Sequence, residues 1–313
     1  MKKYNNILVV ADVSQEHQPA LSRAIHLASC GDNAKLTFFL SIYDFSYEMT
    51  SMLSAYERQA MRNGVIQQRE LWLKELVEQH DVSGIDIEVK VVWHNRPYEA
   101  IIQQVFEGDH NLVIKATHAH DKLGSIIFTP TDWHLLRKCP CPVLLAKAHT
   151  WPEHGQILAA VNLAADDETH EDLNDKIVNE AKAVATLVNG EVNLVNAYPA
   201  TPVNITIELP EFDHNTYADA VRGHHLVTMK ALRQKHHIEQ ARAYVEEGLP
   251  EDVIPAVAEE IDAGLVVLGT IGRTGLSATF IGNTAEHTID KLNCDLLALK
   301  PMGYISPLAP KID

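Results

Sequence analysis

The residues best suited to chemistry lie in a glycine-rich segment of the second half of the chain. Three glycines have the spacing Gly269-x2-Gly272-x9-Gly282, and the polar residues Asn283 and Thr284 follow the third. Glycine lets backbone N–H groups approach an anion closely, and a helix that begins here would direct its free amides and its dipole at a phosphate. The spacing predicts a phosphate-binding loop, and a tight surface turn before a capped helix is the alternative.

One cation lies inside this segment, and an apolar run precedes it. Arg273 could contact a phosphate through two hydrogen bonds, although an arginine in an exposed loop is commonly only solvated. Residues 265–268 are apolar and typical of a buried strand, so the loop would begin where that strand ends.

The corresponding segment of the first half carries side chains in place of the glycines. Lys115, His118 and Thr129 stand where the alignment of the two halves puts the three glycines. Thr129 also begins a run with a proline in the first turn and Asp132 three residues on, which predicts a helix that caps its own N-terminus. We therefore expect a degenerate nucleotide loop in the first half, because side chains fill the space that a triphosphate would need.

Histidines near this segment raise the question of a metal site. His118 and His120 are two residues apart, with Asp121 beside them, and imidazoles so placed can bind a metal such as zinc. A third ligand is not evident in the sequence, so we expect no metal site. Two further histidine pairs, on a predicted helix and at its end, are explained by a solvated polar face: His224-His225 and His236-His237.

Four cysteines occur in the chain, and none belongs to a CxxC pair. They are too few for a disulfide scaffold, which favours a reducing, cytoplasmic setting. Cys139-Pro140-Cys141 could form a redox pair, but the proline imposes an extended path and the segment leads into an apolar strand. We expect these two cysteines to be structural.

The two halves of the chain repeat the same order of predicted elements. Residues 6–12 and 156–162 are both apolar strand runs that end at a polar residue, Asp12 in the first and Asn162 in the second. Helices and further strands follow in the same order in each half. The paired strands predicted after these are 36–42 and 192–197, 85–93 and 237–245, 111–116 and 264–269, and 142–146 and 296–299.

Apolar strands that alternate with helices are typical of a parallel sheet covered on both faces. One predicted helix carries an apolar stripe that should pack on such a sheet, formed by Ile177, Ala181, Val184 and Val188. Residues 147–155 have neither the helical nor the strand periodicity and are interpreted as a linker. The sequence therefore predicts an α/β fold of two tandem doubly wound parallel-sheet domains, residues 1–148 and residues 155–313.

Composition limits the classes of function. The chain has 313 residues, with 26 Lys and Arg against 42 Asp and Glu, a net charge of −16. An acidic surface repels a phosphate backbone and no basic patch offsets it, so direct nucleic-acid binding is not expected. No apolar run approaches the ~18 residues of a membrane span, so no membrane association is expected either.

The glycine spacing and the repeated order of elements resemble the universal stress protein family, whose domains have an adenine-nucleotide α-hydrolase-like fold. The resemblance covers almost the whole chain as two tandem copies. It implies that Asn162 lies near the base and ribose, where the family commonly has Asp, and that Ala197 borders the adenine. Asn283 replaces the Ser or Thr usual at its position. The ribose and phosphate contacts that the resemblance implies come from Gly269, Gly272, Gly282, Asn283 and Thr284.

The resemblance also implies a ligand, an assembly and a cellular role. The ligand would be ATP or another adenine nucleotide, bound without catalysis. Family members often pair through the last strand of the sheet, which implies an internal pseudo-dimer of the two halves and leaves a further homo-oligomer of the whole chain open. The implied role is cytoplasmic and concerns survival under stress, including DNA damage, without direct contact with DNA.

Two other functions stay open on the sequence alone. The first-half loop is lost, and Asn162 and Asn283 depart from the family pattern, so the chain could be a carrier or interaction protein for a non-nucleotide ligand. Slow ATP hydrolysis is the other alternative, because a triphosphate bound beside an ordered loop can turn over. An ATP-consuming enzyme of the P-loop type is not supported, because the chain has no GxxxxGKS or GxxxxGKT motif.

Overall fold

The computed structural model describes residues 4–30, 33–47, 53–119, 126–147, 149–151, 154–164, 168–200, 214–270 and 283–310. The chain divides into two compact units. Unit 1 comprises Met1–His149 and Tyr304–Asp313, and unit 2 comprises Thr150–Leu276 and Phe280–Gly303. Within the described ranges, no helix has the length and apolar character needed to cross a membrane.

Unit 1 contains a parallel sheet of five strands in its described part. Its elements, in chain order, are β1 (Asn6–Val10), α1 (Pro19–Ser29), β2 (Lys35–Ile42), α2 (Ala55–Glu78), β3 (Asp86–Trp93), α3 (Pro97–Glu107), β4 (Leu112–Ala116), β5 (His118–Ala119), β6 (Ile126–Ile127), α4 (Pro130–Lys138) and β7 (Val143–Ala146). The sheet has the order β7-β4-β1-β2-β3, and β5 pairs with β6 in a separate antiparallel ladder. The order reverses between β1 and β4, where doubly wound sheets open a crevice at their carboxyl edge.

Unit 2 repeats this arrangement. Its elements are β8 (Gln156–Ala160), α5 (Glu168–Val188), β9 (Glu191–Tyr198), α6 (His214–Lys235), β10 (Ala243–Glu247), α7 (Pro250–Glu260), β11 (Ala263–Gly269), α8 (Asn283–Lys291) and β12 (Asp295–Leu299). The strands are parallel in the order β10-β9-β8-β11-β12, and the order reverses between β8 and β11. The predicted α/β class with two tandem parallel-sheet domains is confirmed.

The apolar runs of the sequence form the buried centre of each sheet. All five residues of β4 and four of the five residues of β8 are buried, as expected for central parallel strands covered on both faces. The predicted stripe of α5 packs as expected, with Ile177, Ala181 and Val184 buried and Val188 half-buried near the end of the helix. Proline begins α3 at Pro97 and α7 at Pro250, where its missing N–H costs no hydrogen bond.

One predicted strand is shorter than expected. The periodicity predicted a strand over residues 237–245, but β10 begins only at Ala243. α6 ends at Lys235, and His237 adopts a left-handed backbone conformation with φ 56°. A short 3-10 helix, Gln240–Arg242, then precedes the strand. The first part of residues 237–245 therefore forms a turn and a 3-10 helix, and only the last part forms the strand.

Candidate functional site

Two strand ends that flank the reversal of strand order in unit 2 carry predicted site residues. Asn162 lies two residues beyond the end of β8, and Gly269 is the last residue of β11. These strands pair in parallel, so their carboxyl ends open on the same edge of the sheet. Ala197 lies next to the end of β9, which pairs with β8 on its other side. The structure thus brings all three residues to the carboxyl edge of the sheet, with Asn162 and Gly269 beside the crevice where doubly wound sheets bind ligands.

Asn162 is held by a side chain that sequence reasoning missed. The amide of Asn174, a buried residue of α5, contacts both backbone groups of Asn162: its Oδ1 accepts from the N–H at 2.9 Å, and its Nδ2 donates to the C=O at 2.7 Å. Asn162 Oδ1 in turn accepts from the Ala164 N–H at 3.1 Å. Asn162 is therefore exposed but fixed in position, which a ligand-binding residue requires.

The same clamp occurs in unit 1. Gln18, which directly precedes α1, accepts from the Asp12 N–H at 3.0 Å through Oε1 and donates to the Asp12 C=O at 2.7 Å through Nε2. Asp12 Oδ1 accepts from the N–H of Ser14 at 2.9 Å and from its hydroxyl at 2.7 Å. Both clamping amides are buried, and a buried amide must find partners, but the sequence alone carried no signal of their burial.

Replacing Asn174 with leucine should lower the free energy of unfolding of unit 2 by about 1–3 kcal/mol. The change removes two hydrogen bonds, each worth roughly 0.5–1.5 kcal/mol, and leaves the backbone groups of Asn162 without this partner. Urea denaturation followed by circular dichroism measures the loss. Gln67→Leu, an exposed change on α2, is the matched control and should shift the midpoint little. Equal midpoints for the two variants would contradict the clamp.

The end of β9 is held by two buried polar side chains. Asn196, which is 1% exposed, donates through Nδ2 to the Val161 C=O at 3.2 Å and ties β9 to the end of β8. Tyr198 stacks on His225 of α6, with ring centroids 5.1 Å apart. The expected solvated face is therefore wrong for His225, because its ring is buried against the tyrosine, whereas His224 is exposed.

The second histidine pair departs from the expectation in the same way. His236 is buried, and its Nε2 lies 2.8 Å from Oδ1 of Asp175 on α5. Lys235 forms a further ion pair with the same carboxylate. His237, in its left-handed conformation, is exposed. One histidine of each pair therefore packs against a neighbouring element instead of facing solvent.

Burial lowers the pKa of His225 below its usual value of about 6.5, and the nearby His224 acts in the same direction. In the unfolded chain His225 takes up a proton near pH 6.5, whereas in the folded state it resists protonation. The neutral, buried His225 therefore contributes stability above that pH, and this contribution is lost as the pH falls further. We expect the urea midpoint to fall between about pH 7 and pH 5, and to fall less in His225→Phe, which keeps a stacking ring. His224→Phe should reduce the pH dependence less, because burial is the larger cause of the lowered pKa of His225. Identical profiles for both variants would contradict this assignment.

The glycine-spaced loop leaves the sheet from a buried anchor. A Cβ added at Gly269 would lie 2.7 Å from Cδ2 of Leu173, so a larger residue would displace that side chain. The next residue, Thr270, donates to the Leu299 C=O through its N–H at 3.0 Å and its hydroxyl at 3.2 Å. Lys300, which is 5% exposed, donates to Thr270 Oγ1 at 2.7 Å. The start of the loop is therefore rigidly placed.

The far end of the loop leads into a helix. α8 begins at Asn283, followed by Thr284, so the helix that the spacing predicted after the third glycine is present. Gly272, Arg273 and Gly282 lie outside the described residues. Of the predicted loop residues, the structure therefore describes Gly269 at the start and Asn283 and Thr284 at the end.

Hydrogen-bond register corrects the alignment of the two loops. The residue after β4, Thr117, donates its N–H to the last residue of β7 at 2.9 Å. The residue after β11, Thr270, donates its N–H to the last residue of β12 at 3.0 Å. The two threonines are therefore equivalent, and Ala116 rather than Lys115 corresponds to Gly269.

The remaining loop positions follow from this register. The shift of one residue puts Ala119, rather than His118, opposite Gly272. Thr129 directly precedes α4, as Gly282 directly precedes α8, so that match is unchanged. The two loops therefore have the same length, with twelve residues between Ala116 and Thr129 and twelve between Gly269 and Gly282. The alignment by residue type was wrong by one residue at its first two positions.

The N-terminus of α4 in unit 1 is capped internally. Thr129 Oγ1 accepts from the Asp132 N–H at 3.3 Å, and Asp132 Oδ2 accepts from the Thr129 N–H at 2.6 Å and from its hydroxyl at 2.8 Å. Lys115 Nζ lies 2.7 Å from Asp132 Oδ1, in a buried ion pair. The sequence predicted the cap, whereas the lysine partner was missed.

Cysteine and histidine chemistry has little support in the described part of the chain. The thiols of Cys139 and Cys141 lie 3.6 Å apart. The hydrogen bond with Cys139 and burial raise the pKa of the Cys141 thiol well above its ordinary value, which keeps it protonated and poorly nucleophilic. Among the described residues, no group of three or more His, Cys, Asp or Glu is arranged to hold a metal ion. His120 and Asp121 lie outside those residues.

Comparison with known proteins gives the same division of the chain into two similar halves. The universal stress protein family model matches residues 3–147 and again residues 158–300. The chain is 57% identical to universal stress protein E of Salmonella typhi over 309 residues, 98% of each chain. It is 53% identical to universal stress protein E of Photorhabdus laumondii over 310 residues, again 98% of each chain.

A solved structure has the same fold over nearly the whole length. A protein of unknown function from Pseudomonas aeruginosa PAO1 has a TM-score of 0.70 and 28% sequence identity, and the match covers 95% of this chain and 93% of that one. The family match extends over both halves, and the identity to relatives exceeds half over nearly all residues. The chain therefore belongs to the universal stress protein family, with two tandem copies of the family domain.

Proposed function

We propose that unit 2 binds an adenine nucleotide at the carboxyl edge of its sheet. One observation carries the proposal. Asn162 lies just beyond the end of β8 and Gly269 ends β11, the strand order reverses between these two strands, and α8 begins directly after the glycine-spaced loop. Open α/β sheets bind nucleotides in such a crevice, with the phosphates at the N-terminus of a helix. ATP or another adenine nucleotide fits this arrangement.

Each predicted residue has a role in this proposal. The base and ribose lie near Ala197 and Asn162. The backbone of Asn162 is fixed by Asn174, and its side chain offers a neutral acceptor where the family commonly has a carboxylate. A neutral hydrogen bond is roughly half as strong as a charge-assisted one, so we expect a lower affinity than a carboxylate at this position would give. The phosphates contact the loop and the start of α8 through Gly269, Gly272, Arg273, Gly282, Asn283 and Thr284.

Titration calorimetry with ATP, ADP and AMP tests this proposal, on full chain from which any copurified nucleotide has first been removed. We expect binding of one adenine nucleotide per chain, with affinity that increases with the number of phosphates because the loop and helix amides contact them. Absence of both heat and a nucleotide-dependent melting shift for all three would overturn the proposal and favour the carrier or interaction protein for a non-nucleotide ligand.

We further propose that the nucleotide acts as a bound ligand and is not consumed. The side chain assigned to the base and ribose, Asn162, is a neutral amide and does not act as a general base. Release of inorganic phosphate from ATP by the wild-type chain, lost in Gly282→Trp, would instead establish slow hydrolysis at this site.

The proposed role is survival under stress, including DNA damage, in the cytoplasm and without contact with DNA. The net charge of −16 supports the lack of contact with DNA, since a surface so acidic repels nucleic acid. A strain that lacks the gene should survive ultraviolet irradiation poorly and should be rescued by the wild-type chain. Rescue by Gly282→Trp to the same degree would separate the role from nucleotide binding, and a cell fraction other than the cytoplasm would contradict the location.

A further inference from the structure

Unit 1 holds a buried ion pair where unit 2 has two uncharged residues. Lys115 Nζ lies 2.7 Å from Asp132 Oδ1, and the two side chains are 10% and 0% exposed. Lys115 is two residues before Thr117 and so corresponds to Leu268. Asp132 is the third residue of α4, as Ala285 is the third residue of α8. The same two places in one fold thus hold opposite charges in unit 1 and apolar groups in unit 2.

The fold does not need charges at these two places. Leu268 is buried and Ala285 is half-buried in unit 2, with the same strand order and the same helix around them. Taking two charges out of water is costly, and apolar residues of similar volume often stabilise a fold as well or better. The ion pair of unit 1 is therefore explained poorly by stability alone.

The contacts of Asp132 are those of an oxyanion bound at a helix N-terminus. Its carboxylate accepts from the Thr129 N–H at 2.6 Å, from the Thr129 hydroxyl at 2.8 Å and from the Lys115 ammonium at 2.7 Å. A backbone amide, a hydroxyl and an ammonium converge on phosphates in the same manner. The Thr129 N–H is the counterpart of the Gly282 N–H, because each residue directly precedes the corresponding helix.

We infer that the Asp132 carboxylate is an internal substitute for a bound anion in unit 1, held by Lys115 and the Thr129 N–H. Because it is fully buried, it fills the space in front of α4, and its charge repels a second anion. Unit 1 therefore excludes the phosphates of a nucleotide, and a chain with two family domains binds at most one nucleotide. This assignment concerns unit 1 and does not depend on nucleotide binding by unit 2.

Anion rescue of Asp132→Ala in the full chain tests the inference. The variant leaves the Lys115 ammonium buried, frees the Thr129 N–H and opens a space the size of a carboxylate. Formate and inorganic phosphate are the probes, each compared with chloride at equal ionic strength. The melting midpoint of unit 1, followed by tryptophan fluorescence, should rise by about 3–5 °C at ten times the dissociation constant of the probe. The wild-type chain should show no such rise.

The double variant Lys115→Leu/Asp132→Ala is the matched control, because it gives unit 1 the residues of unit 2 at both places. The double variant should fold, and its melting midpoint in formate or phosphate should not exceed its midpoint in chloride. Any effect of phosphate on unit 2 is present in both variants, so comparing them removes it. No rise in Asp132→Ala, or an equal rise in the double variant or wild type, would overturn the inference. If Asp132→Ala fails to fold in chloride, recovery of folded protein in formate supports the inference, and failure in every anion contradicts it.

Discussion

Replacing Asp132 with asparagine should lower the free energy of unfolding of unit 1 by about 3–5 kcal/mol. The change leaves the Lys115 ammonium buried beside a neutral amide, and a buried charge that loses its partner is strongly destabilising. Lys115→Met should cause a loss of the same order, because it leaves the carboxylate with only its contacts to Thr129. Urea denaturation followed by fluorescence measures both losses, since three of the tryptophans lie in unit 1: Trp72, Trp93 and Trp133.

An exposed ion pair in the same unit provides the control. Lys35 Nζ lies 3.3 Å from Glu88 Oε2, and these side chains are 48% and 54% exposed. Glu88→Gln should therefore change the free energy of unfolding by at most ~1 kcal/mol. The double variant Lys115→Leu/Asp132→Ala should regain most of the stability lost by either single change at the buried pair. A loss for Asp132→Asn no larger than that for Glu88→Gln would contradict the buried charge pair.

Gly282→Trp should weaken the binding of adenine nucleotides to the chain by roughly 100-fold or more, about 2.7 kcal/mol. Gly282 directly precedes α8, and an indole there would fill the space in front of the helix amides that we assign to the phosphates. Titration calorimetry with ATP measures the change. AMP, with a single phosphate, should be affected less than ATP.

A tryptophan placed elsewhere separates this effect from a general disturbance of the fold. Gly64 of α2 is exposed, and an added Cβ there meets no atom within 4 Å. Gly64→Trp should therefore bind ATP as tightly as the wild-type chain. Unchanged ATP affinity in Gly282→Trp, with both variants folded, would move the nucleotide site away from the start of α8.

The architecture was predictable because it rests on local patterns. Short apolar runs bounded by polar residues predicted the strands to within about two residues, with β10 as the exception, and prolines in a first turn predicted the starts of α3 and α7. A parallel sheet brings the carboxyl ends of its strands to one edge by geometry alone. The placement of Asn162, Ala197 and Gly269 at one edge of the sheet therefore followed from their positions at or just beyond the ends of three parallel strands.

Contacts between elements far apart in sequence were not predictable in this way. Asn174 reaches back twelve residues to Asn162, and Lys115 reaches forward seventeen to Asp132. Hydrophobic periodicity says which face of an element is buried, but it does not say which polar group on that face finds a partner. The burial of His225 against Tyr198 escaped for the same reason.

The pairing of Lys115 with Gly269 failed for a different reason. The alignment by residue type misplaced the end of β4 by one residue, although the two loops have the same length. A strand's side chains alternate between faces, so an error of one residue reverses the direction assigned to each side chain. Only the equivalent hydrogen bonds of Thr117 and Thr270 reveal the true register. The corrected register places Lys115 opposite Leu268, and the contrast between the two units depends on it.

The most direct test of nucleotide binding by unit 2 is mass spectrometry of the small molecules released when freshly purified full-length chain is denatured. The measurement requires no prior choice of ligand. We predict an adenine nucleotide, in an amount that approaches but does not exceed one per chain, and its loss from Gly282→Trp. An empty chain, or a released molecule with no adenine and no phosphate, would contradict the account.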